Sequence, residues 1–126
     1  MVKYLLIYLL LSILYYEKFP KQLRIKKGCP PHKLVLGLPA FGRTFSLMDK
    51  KQNGLSAKSF NNGTSGNFTK TPGFLSYYEI CELKKQSQWK NVWITQSKSS
   101  YMYKNNDWVS FDDIKSFHLR VYYKFF

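Results

Sequence analysis

The first sixteen residues differ from the rest of the chain in their hydrophobic pattern. MVKYLLIYLLLSILYY carries one lysine near its start and an apolar run over residues 4–16. A membrane-spanning helix needs about 20 apolar residues, whereas the apolar region of a signal peptide has this shorter length. No A-x-A-like cleavage site follows, because Glu17-Lys18-Phe19-Pro20 stands there instead. We interpret residues 1–16 as a signal peptide or an uncleaved anchor; a helix packed in the core of a larger protein is the open alternative.

The next segment predicts the end of a helix and then a buried strand. Residues 21–28, KQLRIKKG, close on Gly28 as a C-cap, and Pro30-Pro31 stops the helix. Residues 33–38 are rich in Leu and Val and are bounded by prolines on both sides. This is the pattern of a strand buried on both faces of a parallel sheet, and it predicts a strand near residues 34–41.

The middle of the chain predicts a long loop followed by a short helix. Residues 49–73 are rich in Asn, Gly, Ser and Thr with little periodicity, which favours a loop or short hairpin pieces. A helix is predicted near residues 75–84, because Ser76 and Glu79 form a capping-box pattern. Three residues at helical spacing are expected on its inward face: Leu75, Tyr78 and Cys81.

A hairpin and a second helix are predicted towards the C-terminus. The turn signal Asn105-Asn106-Asp107 lies between aromatic arms and predicts a β-hairpin within residues 89–109. Ser110 suits a helix N-cap. Asp112 and Asp113 would then lie in the first turn, where the positive end of the helix dipole favours negative side chains. We therefore expect a helix that starts near residue 111, and an α+β fold for the chain. Its inward side chains are predicted to be Ile114, Phe117 and Val121.

The charge balance is strongly basic, but it does not specify a partner. The 126 residues include 20 Lys+Arg against 7 Asp+Glu, a formal net charge of +13. Such a balance raises nucleic acid or an anionic membrane as partners. The basic residues are scattered in pairs, however, and no phosphate loop, zinc spacing or RNA-binding aromatic signature occurs. We predict a solvated basic surface with no nucleic-acid partner, and membrane association only if residues 1–16 form an uncleaved anchor.

Two acceptor sequons bear on the compartment. Asn62-Gly63-Thr64 and Asn67-Phe68-Thr69 lie in one polar loop, and each is a site for N-glycosylation in a secreted protein. Together with the apolar N-terminus they favour secretion and an extracellular location. The two cysteines, Cys29 and Cys81, could pair with each other, stay free or pair elsewhere.

Three motifs in this order resemble a known family. Residues 33–45 (KLVLGLPAFGRTF), 69–82 (TKTPGFLSYYEICE) and 101–117 (YMYKNNDWVSFDDIKSF) resemble the C-terminal part of family 18 glycoside hydrolases, the chitinases and chitinase-like lectins. The resemblance runs over roughly residues 17–123. It implies a fragment of a TIM barrel that carries the α+β insertion domain of that family. The implied divisions are a barrel helix and strand-seven remnant at 17–44, the insertion domain at 45–109 and the start of barrel helix seven at 110–126.

The resemblance also implies a sugar-binding wall. It places Arg43 at the mouth of the seventh strand, where a guanidinium can donate to sugar hydroxyls and acetamido carbonyls. Phe41 replaces the family's usual tyrosine and keeps a stacking face, and Phe74 matches a position that faces the cleft. The alternatives are a structural ion pair for Arg43 and core packing for Phe74. The expected partner is chitin or an N-acetylglucosamine oligosaccharide, bound weakly.

Catalysis by this chain alone is not expected. The family uses the Glu of an Asp-x-x-Asp-x-Asp-x-Glu motif as its acid, and none of the seven acidic residues has that spacing. No catalytic residue, cofactor or metal site is predicted, and the family partner of Cys81 lies beyond an eighth strand that this sequence lacks. Two other functions stay open: a chitinase that is active only when completed by missing sequence, and a secreted basic protein that binds anionic surfaces.

Overall fold

The computed structural model describes residues 3–4, 19–35 and 37–125. The interpretation of residues 1–16 therefore lies outside the described residues, apart from a two-residue strand at Lys3–Tyr4. The strands are β1 Lys3–Tyr4, β2 Phe41–Leu47, β3 Lys58–Asn62, β4 Phe74–Ser76, β5 Lys90–Ile94, β6 Ser99–Lys104 and β7 Asp107–Phe111. The helices are α1 Phe19–Lys26, a single 3₁₀ turn Pro31–Lys33, α2 Tyr77–Lys84 and α3 Ile114–Phe125.

All strand pairs are antiparallel and belong to one sheet. The order is β1-β3-β2-β7-β6-β5, and β4 pairs with β2 beside this path. Strand β7 follows one edge of β2 over residues 42–46, while the other edge is shared by β4, over residues 41–43, and β3, over residues 45–47. Strands β3 and β4 therefore meet end to end along β2.

The sheet has a hydrophobic core on each face. Residues two apart on a strand point to the same face, so β2 and β7 contribute to both cores. The first core contains Phe45, Leu47, Ala57, Ile94, Tyr101 and Trp108. The second lies on the face that α2 covers and contains Leu75, Ile80, Met102, Val109 and Phe111.

Helix α2 confirms the predicted capping box but not the predicted inward face. The Ser76 Oγ accepts from the Glu79 backbone N–H at 3.4 Å, and the Glu79 carboxylate accepts from the Ser76 backbone N–H at 2.9 Å. Tyr78 is 59% exposed, whereas Ile80 is fully buried. The prediction was wrong for Tyr78, because the buried face of α2 starts at Tyr77 and carries Ile80 three residues later. Leu75 is buried in the second core as predicted, although it lies in β4 and not in the helix.

The predicted hairpin is confirmed. Strands β6 and β7 pair with Lys104 opposite Asp107, so the turn consists of Asn105 and Asn106. Asn105 has a φ of 53°, and asparagine adopts this left-handed conformation at low cost. Residues 49–73 form turns and one short strand, as the loop-or-hairpin prediction requires.

The strand predicted near residues 34–41 is not formed. The regular strand begins at Phe41, and the described residues from 34 to 40 belong to no strand. Val35, predicted to be buried on both faces, is 90% exposed. A parallel strand needs hydrogen-bonded neighbours, and the described part of the chain supplies only antiparallel partners, which begin at Phe41.

Helix α3 starts three residues later than predicted, and its cap is a different residue. Ser110 stays in β7, while Asp113 accepts from the Ser116 backbone N–H at 2.9 Å and donates its own N–H to the Ser116 Oγ at 3.2 Å. The inward face was also predicted wrongly for Ile114, which is 63% exposed, and for Val121. No described element packs over the outer side of α3, so these side chains face solvent.

Helix α1 ends as the sequence predicts. Gly28 has a φ of 91°, its N–H donates to the Ile25 carbonyl, and the Cys29 N–H donates to the Arg24 carbonyl, which is a Schellman motif. Among the helices of the described ranges, none is long and apolar enough to span a membrane.

We predict that Gly42→Ala destabilises the sheet by about 1–3 kcal/mol. A Cβ on Gly42 would lie 2.7 Å from the Ile80 side chain and 2.7 Å from the Ser110 carbonyl oxygen, with Val109 at 2.9 Å. Gly54→Ala is the matched control, because nothing lies within 4 Å of its added methyl group. Urea unfolding followed by circular dichroism measures both variants, and equal midpoints for the two would contradict this packing.

Candidate functional site

Three residues named by the sequence lie together on one face of β2 and β4. Arg43 and Phe74 are cross-strand partners, and Phe41 lies two residues before Arg43 on the same face. The rings of Phe41 and Phe74 have centroids 4.9 Å apart. The Arg43 guanidinium carbon lies 5.5 Å from the Phe41 centroid and 5.6 Å from the Phe74 centroid. We call this group the Phe41–Arg43–Phe74 cluster.

The cluster combines apolar ring faces with free donors. Both rings are partly buried and Arg43 is exposed. Within the described residues, Arg43 forms no ion pair, so the alternative of a structural ion pair finds no support there. Its contact with two rings is a cation–π arrangement, which holds the guanidinium over the rings while its N–H groups face water.

The buried carboxylate of Glu79 positions the segment that carries Phe74. Its Oε2 accepts from the Ser76 N–H and hydroxyl, and its Oε1 accepts from the Phe68 N–H at 2.7 Å. Both oxygens also bind Thr69, whose hydroxyl lies 3.3 Å from the Phe74 carbonyl. Glu79 therefore holds the backbone by hydrogen bonds both before Phe74, at residues 68–69, and after it, at Ser76.

These hydrogen bonds decide the charge state of Glu79. Burial acts to raise its pKa, but the backbone N–H groups of Ser76, Thr69 and Phe68 outweigh burial and lower the pKa from 4.5 to about 2. Gly66 packs directly on the carboxylate, and a Cβ at that position would overlap it. The sequence showed the helix cap of Glu79 but not its bonds to residues 68 and 69, because these depend on the fold of the preceding loop.

The sequence also missed two polar neighbours of the cluster. Ser110 is the cross-strand partner of Arg43 on β7, and Ser76 is that of Phe41 on β4. Both are partly buried, and Ser110 lies on the face of the cluster, whereas the Ser76 hydroxyl is hydrogen-bonded to Glu79. Because serine side chains are small, they leave the guanidinium uncovered. The sequence could not identify these two serines as neighbours of the cluster, because the pairing register of their strands was unknown.

The two sequons lie on different sides of the sheet. Asn62 is exposed at the end of β3 and pairs with Phe45 on the face of the cluster. Asn67 borders a cavity of about 330 Å³ between α2 and the opposite face, where Leu83 and Trp89 are also part of the lining. The indole N–H of Trp89 is buried and has no hydrogen-bond partner in the described part of the chain.

Neither cysteine is paired in the structure. Cys29 and Cys81 are both free thiols and partly buried. Burial, and then the neighbouring Cys81, raise the pKa of Tyr77. In the ranges that the structure describes, no three His, Cys, Asp or Glu side chains come close enough to hold a metal ion.

Comparison with known proteins identifies the family. The model for glycosyl hydrolases family 18 matches residues 18–125, and the chain belongs to this family. Mouse chitotriosidase-1 is 40% identical over 99 residues, which are 79% of this chain and 20% of that protein. The chain thus spans about a fifth of the length of this relative.

Solved structures of the same family show the same arrangement of helices and strands. A Group IV chitinase from Ostrinia furnacalis, in complex with allosamidin, superposes with a TM-score of 0.77 at 36% identity. A class V chitinase mutant from Cycas revoluta, in complex with (GlcNAc)3, superposes with a TM-score of 0.70 at 34% identity. Each match covers 82% of this chain and 28% of the other. The chain is a mixed helix and strand fragment of the family 18 chitinase structure.

We predict that folding stability depends on the ionisation of Glu79. Because its pKa is lower in the folded chain, its stabilisation is complete above about pH 4.5 and is lost as the pH falls from 4.5 towards 2. Solvent screening reduces the effect of this charge, so we expect a loss of about 2 kcal/mol over this range. Glu79→Gln should be destabilised at pH 7 and approach the wild type near pH 2 in urea titrations.

Glu82→Gln is the matched control on the same helix. Glu82 forms an exposed ion pair with Lys85, so its removal should change the unfolding midpoint little at any pH. A Glu79→Gln variant that kept the stability and pH profile of the wild type would show that the Glu79 bonds do not stabilise the fold.

Proposed function

We propose that this chain carries part of the sugar-binding wall of a chitinase-like family 18 protein and binds chitooligosaccharides weakly without hydrolysing them. The observation that carries the proposal is the convergence of Phe41, Arg43 and Phe74 on one exposed face. Membership of family 18 and the (GlcNAc)3 complex of a family relative support the choice of ligand.

The chemistry of the cluster suits an N-acetylglucosamine unit. A pyranose ring has an apolar face of C–H groups that packs on an aromatic ring, as other apolar surfaces do. Its hydroxyl and acetamido oxygens accept hydrogen bonds, which the planar guanidinium of Arg43 can donate in pairs. Phe41 offers the ring without a hydroxyl group, so stacking there contributes no hydrogen bond.

The acidic residues of the described chain support the proposal that it lacks a catalytic acid. A general acid in glycoside hydrolysis needs a raised pKa. Instead, the pKa of Glu79 is lowered to about 2, and that of Asp113 is lowered because bonds from Ser116 and Ser100 outweigh its burial. The remaining described acids make structural contacts: Asp49 with Lys51, Glu82 with Lys85, Asp107 with Thr64 and Asp112 with Arg120.

We further propose the division of the chain that the resemblance implies. Residues 45–109 correspond to the insertion domain, while 17–44 and 110–126 correspond to pieces of a TIM barrel. Support comes from the two hydrophobic cores, whose buried residues all lie within residues 45–111, whereas Val35 and Ile114 in the barrel pieces are exposed. Such side chains are normally buried, and the strands of a barrel would cover them. The alternative function, a chitinase that becomes active when further sequence supplies the catalytic strand, is also compatible with this division.

The proposed location is extracellular. Both sequon asparagines, Asn62 and Asn67, are exposed, so an attached glycan would not disturb the described fold. The net charge of +13 supports a second candidate function, a secreted basic protein that binds anionic surfaces. Binding of that kind falls steeply as salt is added, whereas stacking and hydrogen bonding to a neutral sugar do not.

We predict that the chain does not hydrolyse chitooligosaccharides. The reason is the absence of the acid motif from its sequence. Release of the fluorophore from a fluorogenic chitobioside should equal the blank in a preparation freed of host chitinases. Turnover above the blank that copurifies with the chain would contradict the proposal.

We predict chitotriose binding on the order of millimolar, roughly −4 kcal/mol, because one wall encloses a ligand poorly. Arg43→Ala should weaken this binding several-fold through the loss of hydrogen bonds. NMR titration in moderate salt measures the affinity. Arg24→Ala is the matched control, since it removes the same charge from exposed helix α1. Equal affinities for the two variants would exclude Arg43 from the site, and binding that vanishes with salt would favour the anionic-surface function.

A further inference from the structure

The face that carries the cluster also carries one of the two sequons. Asn62 is the cross-strand partner of Phe45, which lies two residues after Arg43 on β2. Cross-strand partners share a face, as do residues two apart on a strand. The spacing from Asn62 to Arg43 is therefore about 5 Å across the strands and about 7 Å along them.

Asn62 also lies beside Phe74. A Cβ on Gly73 would be only 3.2 Å from the Asn62 Cγ, so the carboxamide lies over the residue that directly precedes Phe74. This proximity follows from the end-to-end placement of β3 and β4 on the same edge of β2. The Asn62 side chain is exposed, and the strand pairing places it on the side of the sheet that carries the Phe41–Arg43–Phe74 cluster.

We propose that an N-glycan on Asn62 occupies the Phe41–Arg43–Phe74 cluster of the same molecule. The first two sugars of an N-glycan are β-linked N-acetylglucosamines, the disaccharide that repeats in chitin. Attachment at Asn62 would hold this disaccharide next to the cluster at an effective concentration on the order of millimolar, comparable to the Kd expected for a free ligand. The inference rests on the proposed function, both for sugar binding and for passage through the secretory pathway.

The modification needs only the sequon and the donor of the secretory pathway. The Asn62 amide nitrogen attacks the anomeric carbon of an oligosaccharide that is linked to a lipid pyrophosphate. A C–N bond forms, the C–O bond to the pyrophosphate breaks, the amide nitrogen loses one proton to a base, and the lipid pyrophosphate leaves. Thr64 supplies the hydroxyl residue that the sequon requires.

The second sequon provides an internal control. Asn67 borders the cavity under α2, on the opposite side of the sheet from the cluster. A glycan on Asn67 would leave the cluster uncovered, although it has the same composition. Asn67→Gln yields the glycoform modified only at Asn62, and Asn62→Gln yields the glycoform modified only at Asn67.

The test compares these two glycoforms with the unglycosylated chain. The full chain is secreted from a eukaryotic host behind a heterologous leader, so the result does not depend on the role of residues 1–16. Chitotriose binding is measured by NMR on the Phe41 and Phe74 ring signals. We expect the Asn62 glycoform to bind about twofold more weakly than the unglycosylated chain, because an effective concentration equal to the Kd fills about half of the sites. Its ring signals should already be shifted in the direction that chitotriose causes. The Asn67 glycoform should bind like the unglycosylated chain.

Each other outcome overturns a specific claim. Equal binding by both glycoforms, or no glycan on Asn62 in the secreted chain, overturns the inference and leaves the proposed function intact. Weaker binding by the Asn62 glycoform without shifted ring signals means that the glycan only shields the cluster, and this also overturns the inference. An unglycosylated chain that folds but does not bind chitotriose overturns the proposed function itself. Circular dichroism of every form confirms that it is folded.

Discussion

The carboxylate of Glu79 is the constraint on which the rest of the site depends. It satisfies backbone N–H groups from two separate segments, the loop at residues 68–69 and the start of α2 at Ser76. A buried carboxylate is costly unless donors surround it, so the loop and the helix must come together for either to be stable. The contact between the loop and the start of α2 fixes the position of Phe74. Phe74 supplies one of the two aromatic rings of the Phe41–Arg43–Phe74 cluster. The absence of a side chain at Gly66 allows the loop to approach closely enough.

The sequence correctly predicted the helix ends and the turn that depend only on residues close to one another in the chain. The capping box of Ser76 and Glu79, the Asn105–Asn106 turn and the Gly28 helix end each depend on a few neighbouring residues, and each is confirmed. The strand predicted at residues 34–41 did not form because a buried parallel strand needs hydrogen-bonded neighbours, and strand pairing in the described part of the chain begins only at Phe41. The cap at Asp113 was missed for a similar reason, since β7 extends to Phe111 through its long-range pairing with β2 and β6.

The proposed site was predictable only in part. Arg43, Phe41 and Phe74 were named through the family resemblance, which identifies positions but not contacts. The registers of β2 with β4, β7 and β3 then place Ser76, Ser110 and Asn62 around them, and no local pattern encodes these registers. Both the proposed sugar wall and the proposed glycan contact therefore follow from one strand, β2, whose two edges are shared among three others.

The exposed segment between the 3₁₀ turn and β2 is a site where proteases can cleave the folded chain. The described residues from 34 to 39 lack the ladder hydrogen bonds of a strand, and Val35 projects into water. A surface segment without such bonds can enter a protease active site without prior unfolding of the sheet. Cleavage there would leave β2 through α3 as one continuous chain, with both hydrophobic cores inside it. A degradation product that begins near Phe41 would thus be a natural end point, and it would still contain Arg43, Phe74 and both sequons.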